Sequence, residues 1–297
     1  MCDFNKEHRK NVVIKNGKIV LYTKIVKAVY RCIQSALLWY DLYVNKLKDM
    51  GFEINPYDKC TVNKMINVSQ CTSDWYVEKN KISHKEAKVV ENMFTIPKEK
   101  FGELTITKGN SRDVLGMNLR ITKEKRVDIA TRKQIKEAIE MFGEEIKGKL
   151  STPAAKHLLW VYDTKPLLDQ KRKYTPHSVT SKCLYITKRG RPDIDSTVAF
   201  LCKRVSKSNE DDWKKLERLL VFLKNTINDK SYIGVFNIES LYTWIDAAYA
   251  VHPDMISHTG EAILFRRGML NCWSGKQNLN TNRKIEAEIV GVSDYLL

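Results

Sequence analysis

Two oppositely charged neighbours, Glu78 and Lys79, follow the segment Trp75-Tyr76-Val77 and bear more directly on chemistry than any other residues of this sequence. A glutamate carboxylate offers oxygen ligands of the kind that Mg²⁺ takes. An ammonium group beside it repels a cation, so this pair is a weaker cation site than two adjacent carboxylates would be. The segment therefore predicts one cation ligand at this position, Glu78.

Cysteine and histidine offer a second kind of chemistry, metal binding through sulfur and nitrogen. The seven cysteines are an odd number and show no Cys-x-x-Cys spacing, which favours reduced thiols over disulfides or a zinc site. Cys60, Cys71 and His84 are a conceivable ligand set. Small residues buried in a core are the favoured interpretation.

The net charge of +16 is the strongest property of the whole chain. Such an imbalance favours a polyanionic partner, and nucleic acid is the commonest one. The alternative is a set of lysines solvated on helix faces. No apolar stretch is long enough to span a membrane, and the charged first residues lack the apolar region of a signal peptide. We therefore expect an intracellular protein, cytoplasmic or nuclear, with no membrane partner.

The first half of the chain predicts the elements that position Glu78. Two short strands flank the turn Asn16-Gly17. A helix follows, with apolar residues at helical spacing: Ile33, Leu37, Tyr40, Val44 and Leu47. Strands over residues 58–66 and 70–77, a helix over 85–93 and short strands between 104 and 129 come next. This order predicts an α+β fold, with helices on one face of a mostly antiparallel sheet.

The second half of the chain is predicted to be helical from Lys133 onward, and Asp211 and Asp212 suit the start of its third helix. Strands return after residue 229. The apolar residues of a final helix share one face: Ile285, Ile289, Val292 and Leu296.

Several of these segments together resemble the Pol polyprotein of copia-type LTR retrotransposons, in the same order over most of the chain. Trp75 to Lys79 is similar to the Tyr-Val-Asp-Asp hairpin of a reverse transcriptase. The other similar segments are Tyr30 to Tyr40, Asn55 to Cys60, Val114 to Met117, Arg191 to Ile194, Trp213 to Leu216, Leu223 to Thr226, Ile245 to Ala247, Ser274 to Gln277 and Glu286 to Glu288.

The resemblance implies the reverse transcriptase (RNA-directed DNA polymerase) and ribonuclease H portion of such a polyprotein. Residues 1–130 would then be a partial palm and residues 131–229 a helical thumb or connection region. Residues 230–297 would be the N-terminal part of a ribonuclease H-like α/β domain. The implied partners are RNA, DNA or an RNA–DNA hybrid, and the implied cofactor is Mg²⁺.

The resemblance also implies which carboxylates would hold metal. Glu78 falls at the polymerase hairpin, Asp246 matches the first nuclease aspartate, and Glu288 matches the nuclease glutamate better than Glu286 does. A two-metal reaction needs further carboxylates at each site, from family segments that residues 1–297 do not contain. We therefore expect both centres to be incomplete and the chain to be catalytically inactive.

Further residues are candidates for contact with nucleic acid. Some match family positions near the nucleotide or duplex, and others are cations or amides in short basic segments that suit phosphate. They are Arg31, Gln34, Lys188, Arg189, Arg191, Lys276 and Gln277. Trp39 and Tyr40 could stack on bases, but their helical spacing favours the core.

Three functional hypotheses follow. The first is a retrotransposon-derived reverse transcriptase and ribonuclease H fragment that has lost catalysis. The second is a non-catalytic, basic RNA- or DNA-binding module. The third is a poorly folded pseudogene product with unpaired sheet edges. The sequence sets no oligomeric state.

Overall fold

The computed structural model describes residues 6–24, 29, 32–76, 79–95, 98, 102–124, 126–234, 240–265 and 268–295. The chain forms two compact units, here named the N-terminal unit (Met1–Ile106) and the C-terminal unit (Thr107–Leu297). The described residues form seven α-helices, and their strand pairs are antiparallel. An α+β fold with mostly antiparallel sheets is therefore confirmed. None of the helices that these residues form is long and apolar enough to cross a membrane.

A 3-10 helix (Lys6–Asn11) in the N-terminal unit is followed by a two-stranded hairpin, β1 (Val12–Lys15) and β2 (Lys18–Leu21). Asn16 and Gly17 connect the strands with φ angles of 51° and 71°. Two successive positive φ angles are the signature of a two-residue type I′ turn, in which asparagine and glycine are favoured. The turn predicted at these two residues is confirmed.

The main sheet of the N-terminal unit has the strand order β3-β4-β5-β6. Its strands are β3 (Glu53–Ile54), β4 (Thr61–Ile66), β5 (Ser69–Tyr76) and β6 (Lys79–Ser83). Strands β4 and β5 lie where the sequence predicts strands over 58–66 and 70–77, and Val77 is outside the described residues. Within β5 every second residue is buried, namely Cys71, Ser73 and Trp75. This alternation means that one face of the sheet is covered and the other is open.

Two α-helices of this unit lie among its described residues, α1 (Ile33–Asp49) and α2 (Ala87–Met93). Tyr43 of α1 meets Trp75 of β5 edge to face, with ring centroids 5.2 Å apart. Trp39 stacks on Tyr43 at 5.1 Å. Trp39 and Tyr40 both pack against the core, as their spacing predicts.

The apolar stripe along α1 is buried only in its second half. Val44 and Leu47 lie in the core, whereas Ile33 is 91% exposed and Leu37 is 60% exposed. The residues of α1 that pack into the core begin at Trp39. Helical spacing identified the apolar face of the helix, but the sheet covers only part of that face.

The C-terminal unit contains a four-stranded sheet with the order β10-β9-β8-β7. Its strands are β7 (Ser111–Val114), β8 (Met117–Ile121), β9 (Arg126–Ala130) and β10 (Ser231–Gly234). Strand β10 returns after the helical segment and pairs with β9, so that Ser231 lies opposite Ile129. The division observed in the structure falls at residue 106. The family-based boundaries at residues 130 and 229 stay predictions.

Four helices connect β9 to β10 and supply the main core. They are α3 (Arg132–Phe142), α4 (Thr175–Arg189), α5 (Asp195–Arg204) and α6 (Glu210–Asn225). Phe142 stacks on Trp213 with ring centroids 4.5 Å apart. The most deeply buried side chains include Ile135, Ile186, Val198, Leu216, Leu219, Leu220 and Leu223.

A capping box begins α6. The Asn209 side chain accepts hydrogen bonds from the Asp211 and Asp212 backbone N–H groups at 3.0 and 3.1 Å. The Asp212 carboxylate accepts in return from the Asn209 N–H at 3.1 Å. These bonds satisfy donors that the first turn of a helix leaves free, and the carboxylates favour the positive end of the helix dipole. The predicted role of Asp211 and Asp212 at this helix start is confirmed.

A three-stranded sheet and a final helix end the C-terminal unit: β11 (Leu241–Ala248), β12 (His258–Phe265), β13 (Gly268–Lys276) and α7 (Lys284–Tyr295). Helix α7 packs through small residues. Ala287 is buried, and a Cβ added to Gly291 would lie 3.1 Å from Thr259 and 3.4 Å from Ile245. The predicted apolar face is therefore not the packed one. Ile285 and Ile289 are 73% and 62% exposed, and Leu296 is outside the described residues.

Replacing the cap residue tests this account of α6. We expect Asn209→Ala to lower the free energy of unfolding by about 2 kcal/mol, because it removes the cap and a 2.9 Å hydrogen bond to the Tyr162 carbonyl. Urea unfolding followed by circular dichroism measures the change. The matched control is Asn228→Ala, since Asn228 is exposed, and it should cost less than about 0.5 kcal/mol. Equal effects of the two variants would contradict the capping role.

Candidate functional site

The open face of the β4–β6 sheet is a polar surface of the N-terminal unit. The buried side chains of β5 point toward α1, so the intervening ones point the other way. Residues opposite one another across the strands share a face. The open face therefore carries Asn63 on β4, Gln70, Thr72, Asp74 and Tyr76 on β5, and Lys79 and Lys81 on β6.

Hydrogen bonds order the amide groups on this face. Gln70 Nε2 donates to Asn63 Oδ1 at 2.8 Å and to Thr72 Oγ1 at 2.9 Å. The Thr72 hydroxyl donates to Asn63 Oδ1 at 2.8 Å. The three side chains hold one another in place, so the face presents a fixed polar surface.

The other end of the face combines a cation with an exposed aromatic ring. Tyr76 is 63% exposed and lies directly opposite Lys79, which is exposed as well. Lys81 lies 3.6 Å from Asp74, whose other oxygen accepts from the Thr61 hydroxyl at 3.0 Å. Proteins that bind single-stranded nucleic acid combine accessible aromatic rings, on which bases stack, with cations that attract the phosphates. Tyr76 and Lys79 form such a combination.

Two predicted residues of this unit, Glu78 and Arg31, lie outside the described residues. Tyr76 and Lys79 are the described neighbours that flank the predicted hairpin position. Gln34 is exposed in the first turn of α1. The three residues conceived as metal ligands do not form such a site. Cys71 is buried in the core, and His84 Nε2 is 3.0 Å from the Ile66 carbonyl oxygen.

In the C-terminal unit, α7 brings Glu288 to the strand that carries Asp246. The Glu288 carboxylate accepts a hydrogen bond from the Ala247 backbone N–H at 3.1 Å. Asp246 is exposed on β11, next to that N–H. Its neighbour Ile245 faces α7, so strand alternation turns the Asp246 side chain to the opposite face of the sheet. Glu286 has a different role, because its carboxylate accepts from the Asn282 N–H at 2.8 Å.

These donors do not fit a two-ion site. No group of three or more His, Cys, Asp or Glu side chains that could hold a metal ion occurs among the described residues. Glu288 uses one oxygen on the strand backbone, and Asp246 points from the other face. Mg²⁺ prefers several oxygen ligands in a near-octahedral arrangement, and the residues Asp246 and Glu288 alone do not supply it.

Three of the predicted nucleic-acid contacts are engaged inside the fold. The Arg191 side chain is 3% exposed, and its guanidinium donates to both Asp193 oxygens and to Thr226. The Gln277 side chain donates to the Thr259 hydroxyl and to the Ala287 carbonyl. Lys188 donates to the Cys272 carbonyl at 2.7 Å and lies 2.9 Å from Asp195. These bonds favour a structural role for the three residues over contact with phosphate.

The remaining two predicted contacts of this unit are Lys276 and Arg189. Lys276 forms an ion pair with Asp254. Arg189 is exposed, with its guanidinium 5.8 Å from the centre of the Tyr185 ring. Of these two cations, Arg189 is the one whose charge a polyanion meets without first displacing a carboxylate.

A histidine pair joined to a serine is a feature that sequence reasoning missed. His258 Nδ1 is 3.0 Å from His252 Nε2, and His258 Nε2 is 2.7 Å from Ser274 Oγ. Burial lowers the pKa of His258 to about 4, and the nearby His252 and Lys203 add to the effect. Burial, with Lys276 and Lys203, also lowers the pKa of His252. The sequence shows two histidines six positions apart, but only the pairing of β12 with β13 adds the serine.

No protein-family model matches this chain, and no solved structure matches it.

The histidine pair predicts a loss of stability in mild acid. The folded pKa of His258 is below the usual value of 6.5, so the unfolded chain takes up the proton first as the pH falls. The free energy of unfolding should fall between pH 6.5 and pH 5, by about 1 kcal/mol for a partly exposed ring. Urea unfolding at pH 7 and pH 5 measures this change.

The control for that measurement is a second histidine. His258→Gln should flatten the pH dependence, whereas His177→Gln should keep it, because His177 is exposed. An unchanged pH dependence in His258→Gln would show that other groups cause the acid sensitivity.

Proposed function

We propose that this protein binds RNA or DNA on the open face of its β4–β6 sheet and neither extends nor cuts the bound strand. The observation that carries the proposal is the cross-strand pair of Tyr76 and Lys79, exposed beside the ordered polar groups of that face. The net charge of +16 supports a polyanionic partner. In this proposal the chain derives from the reverse transcriptase and ribonuclease H portion of a copia-type Pol polyprotein.

The charges at the hairpin support binding over catalysis. A polymerase clamps two divalent ions with carboxylates, and here Lys79 places an ammonium group beside Glu78. The same ammonium attracts a phosphate. The substitution that weakens a cation site therefore strengthens a phosphate site at the same position.

A single strand is the form that this face suits best. Bases of a single strand are free to stack on Tyr76, whereas a duplex hides their faces. The amide and hydroxyl groups of Asn63, Gln70 and Thr72 offer both donors and acceptors to the backbone or base edges. We therefore expect sequence-tolerant binding of single-stranded RNA and DNA, and weaker binding of an RNA–DNA hybrid.

The salt dependence of binding tests the location of the surface. Each phosphate neutralised on a single strand contributes about −0.7 to the slope of log K against log salt. The double variant Lys79→Ala/Lys81→Ala should therefore reduce the magnitude of the slope by about 0.7 for Lys79, and by about 1.4 in total when a phosphate displaces Asp74 from Lys81. Fluorescence anisotropy of a labelled 20-nucleotide strand, at several salt concentrations, measures it.

The matched control removes two lysines from the other side of the sheet. Lys48→Ala/Lys88→Ala changes the net charge equally, but its residues lie on α1 and α2, which pack into the core. It should leave the slope within about 0.5 of the wild-type value. Equal slopes in the two double variants would place binding elsewhere.

The contribution of base stacking is tested at Tyr76. Tyr76→Phe should keep the affinity for the oligonucleotide and Tyr76→Ala should lower it, since stacking needs the aromatic ring.

The absence of catalysis is tested separately. With Mg²⁺ or Mn²⁺, the wild-type chain should give no template-directed primer extension, because Glu78 is the one acidic residue in the segment Trp75 to Lys79. Restoring both positions in Glu78→Asp/Lys79→Asp should not produce extension, since no residue of 1–297 matches the third metal ligand of the family. Template-dependent incorporation above background by either protein would refute the non-catalytic part of the proposal.

A further inference from the structure

A cleft of about 270 Å³ opens in the C-terminal unit, between helices α5 and α6 and the loop that contains residues 153–158. We call it the basic cleft. Lys214, Lys215 and Arg218 of α6 line one side, with Asp211 one turn earlier. Thr197 of α5 and His157 of the loop between α3 and α4 add polar groups, and four apolar residues of that loop complete the lining: Pro153, Ala154, Ala155 and Leu158. Helical spacing places positions 211, 214, 215 and 218 on one face, so their side chains converge.

One charge pair in the basic cleft is internally neutralised. Lys215 is 8% exposed, and its ammonium lies 2.9 Å from Asp211 Oδ2 and donates to the Trp160 carbonyl at 2.6 Å. The ammonium also lies 4.4 Å from the centre of the Phe200 ring. Asp211 therefore does not oppose an incoming anion with a full charge. Lys214 and Arg218 leave two positive charges in excess.

Arg218 carries a buried donor that the protein does not satisfy. Its Nη2 donates to the Thr152 hydroxyl at 2.9 Å, which fixes the orientation of the guanidinium. Its Nε is buried, and no acceptor for it occurs among the described residues. A buried donor without a partner is rare in folded proteins and calls for a bound water or ion. In a basic cleft, an anionic oxygen suits this position.

The lysine next to Arg218 in the cleft has its charge available. Lys214 is exposed, and among the described residues no carboxylate pairs with it. A guanidinium held by a hydrogen bond and an exposed ammonium together match a phosphate group, because arginine binds two phosphate oxygens in a plane and lysine adds a point charge.

We propose that the basic cleft binds a small phosphomonoester, with Arg218 and Lys214 holding the phosphate. The volume is at the lower limit of small-molecule sites, about 300 Å³, which favours a compact ligand over a polymer. Thr197 and His157 add a hydroxyl and an imidazole at the wall of the cleft. This site is independent of the nucleic-acid surface proposed above.

The test uses the full chain with inorganic phosphate and ribose 5-phosphate as probes, in calorimetric titrations at constant ionic strength. We expect saturable binding of both, with chloride as the reference anion. Lys214→Ala should weaken binding about tenfold, the loss expected when a charged hydrogen-bond donor is removed. Arg218→Lys should also weaken phosphate binding, because it removes the Nε donor although it keeps the positive charge.

Lys207→Ala is the matched control, since Lys207 is exposed just after α5 and outside the cleft. The affinity of Lys207→Ala for both phosphate probes should stay within about twofold of the wild-type value, as expected for a distant exposed charge. Arg218 is half-buried, so its variant can fail to fold. Lys214 is exposed, so Lys214→Ala still tests the site in a folded protein. Absence of saturable binding, or equal losses in Lys214→Ala and Lys207→Ala, would overturn the proposal.

A single-stranded oligonucleotide distinguishes this site from the nucleic-acid surface. Ribose 5-phosphate should not displace the oligonucleotide, and Lys79→Ala/Lys81→Ala should bind ribose 5-phosphate with unchanged affinity. If Lys214→Ala lowers the affinity for the oligonucleotide as much as the affinity for ribose 5-phosphate, the basic cleft is part of the polymer-binding surface. The proposal of a small-ligand site would then be refuted.

Discussion

The packing of Trp75 against Tyr43 is the contact on which the arrangement of the N-terminal unit depends. With the two ring centroids 5.2 Å apart, it joins α1 to β5 and decides which face of the sheet is buried. Side chains alternate along a strand, so a slip of one residue would exchange the two faces. Burial of Trp75 therefore turns Tyr76 to solvent, opposite Lys79. The polar surface proposed to hold nucleic acid follows from a core contact on the other side of the sheet.

Much of the positive charge of the C-terminal unit serves the fold. Lys215, Lys224 and Lys188 each donate to a backbone carbonyl, those of Trp160, Ile146 and Cys272, at 2.6 to 2.7 Å. These bonds fasten two loops and strand β13 to helices α6 and α4. Lys215 is buried, so its ammonium needs these acceptors because its desolvation is otherwise costly, whereas Lys188 and Lys224 stay exposed. The formal charge of +16 therefore exceeds the charge that a partner meets.

Spacing and turn chemistry predicted many elements of the fold from the sequence. The turn at Asn16-Gly17, strands β4 and β5, and the acidic start of α6 follow from local rules and agree with the structure. The faces of α1 and α7 did not follow from the same rules. Periodicity shows that Ile33 and Ile289 lie on apolar faces, but it does not show how far a sheet extends beneath a helix. In α7, Ala287 and Gly291 allow the closer approach, so the larger residues face outward.

The sequence by itself determined the charge, the α+β class and the candidate carboxylates Glu78, Asp246 and Glu288. Only the tertiary structure decided that Arg191 and Gln277 are internal, that Glu288 bonds to the strand of Asp246, and that Lys214 and Arg218 share a cleft. The physical reason is that residue type sets what a side chain can bind. Which groups are desolvated, paired or left free depends on chain segments that are far apart in sequence and meet only in the fold.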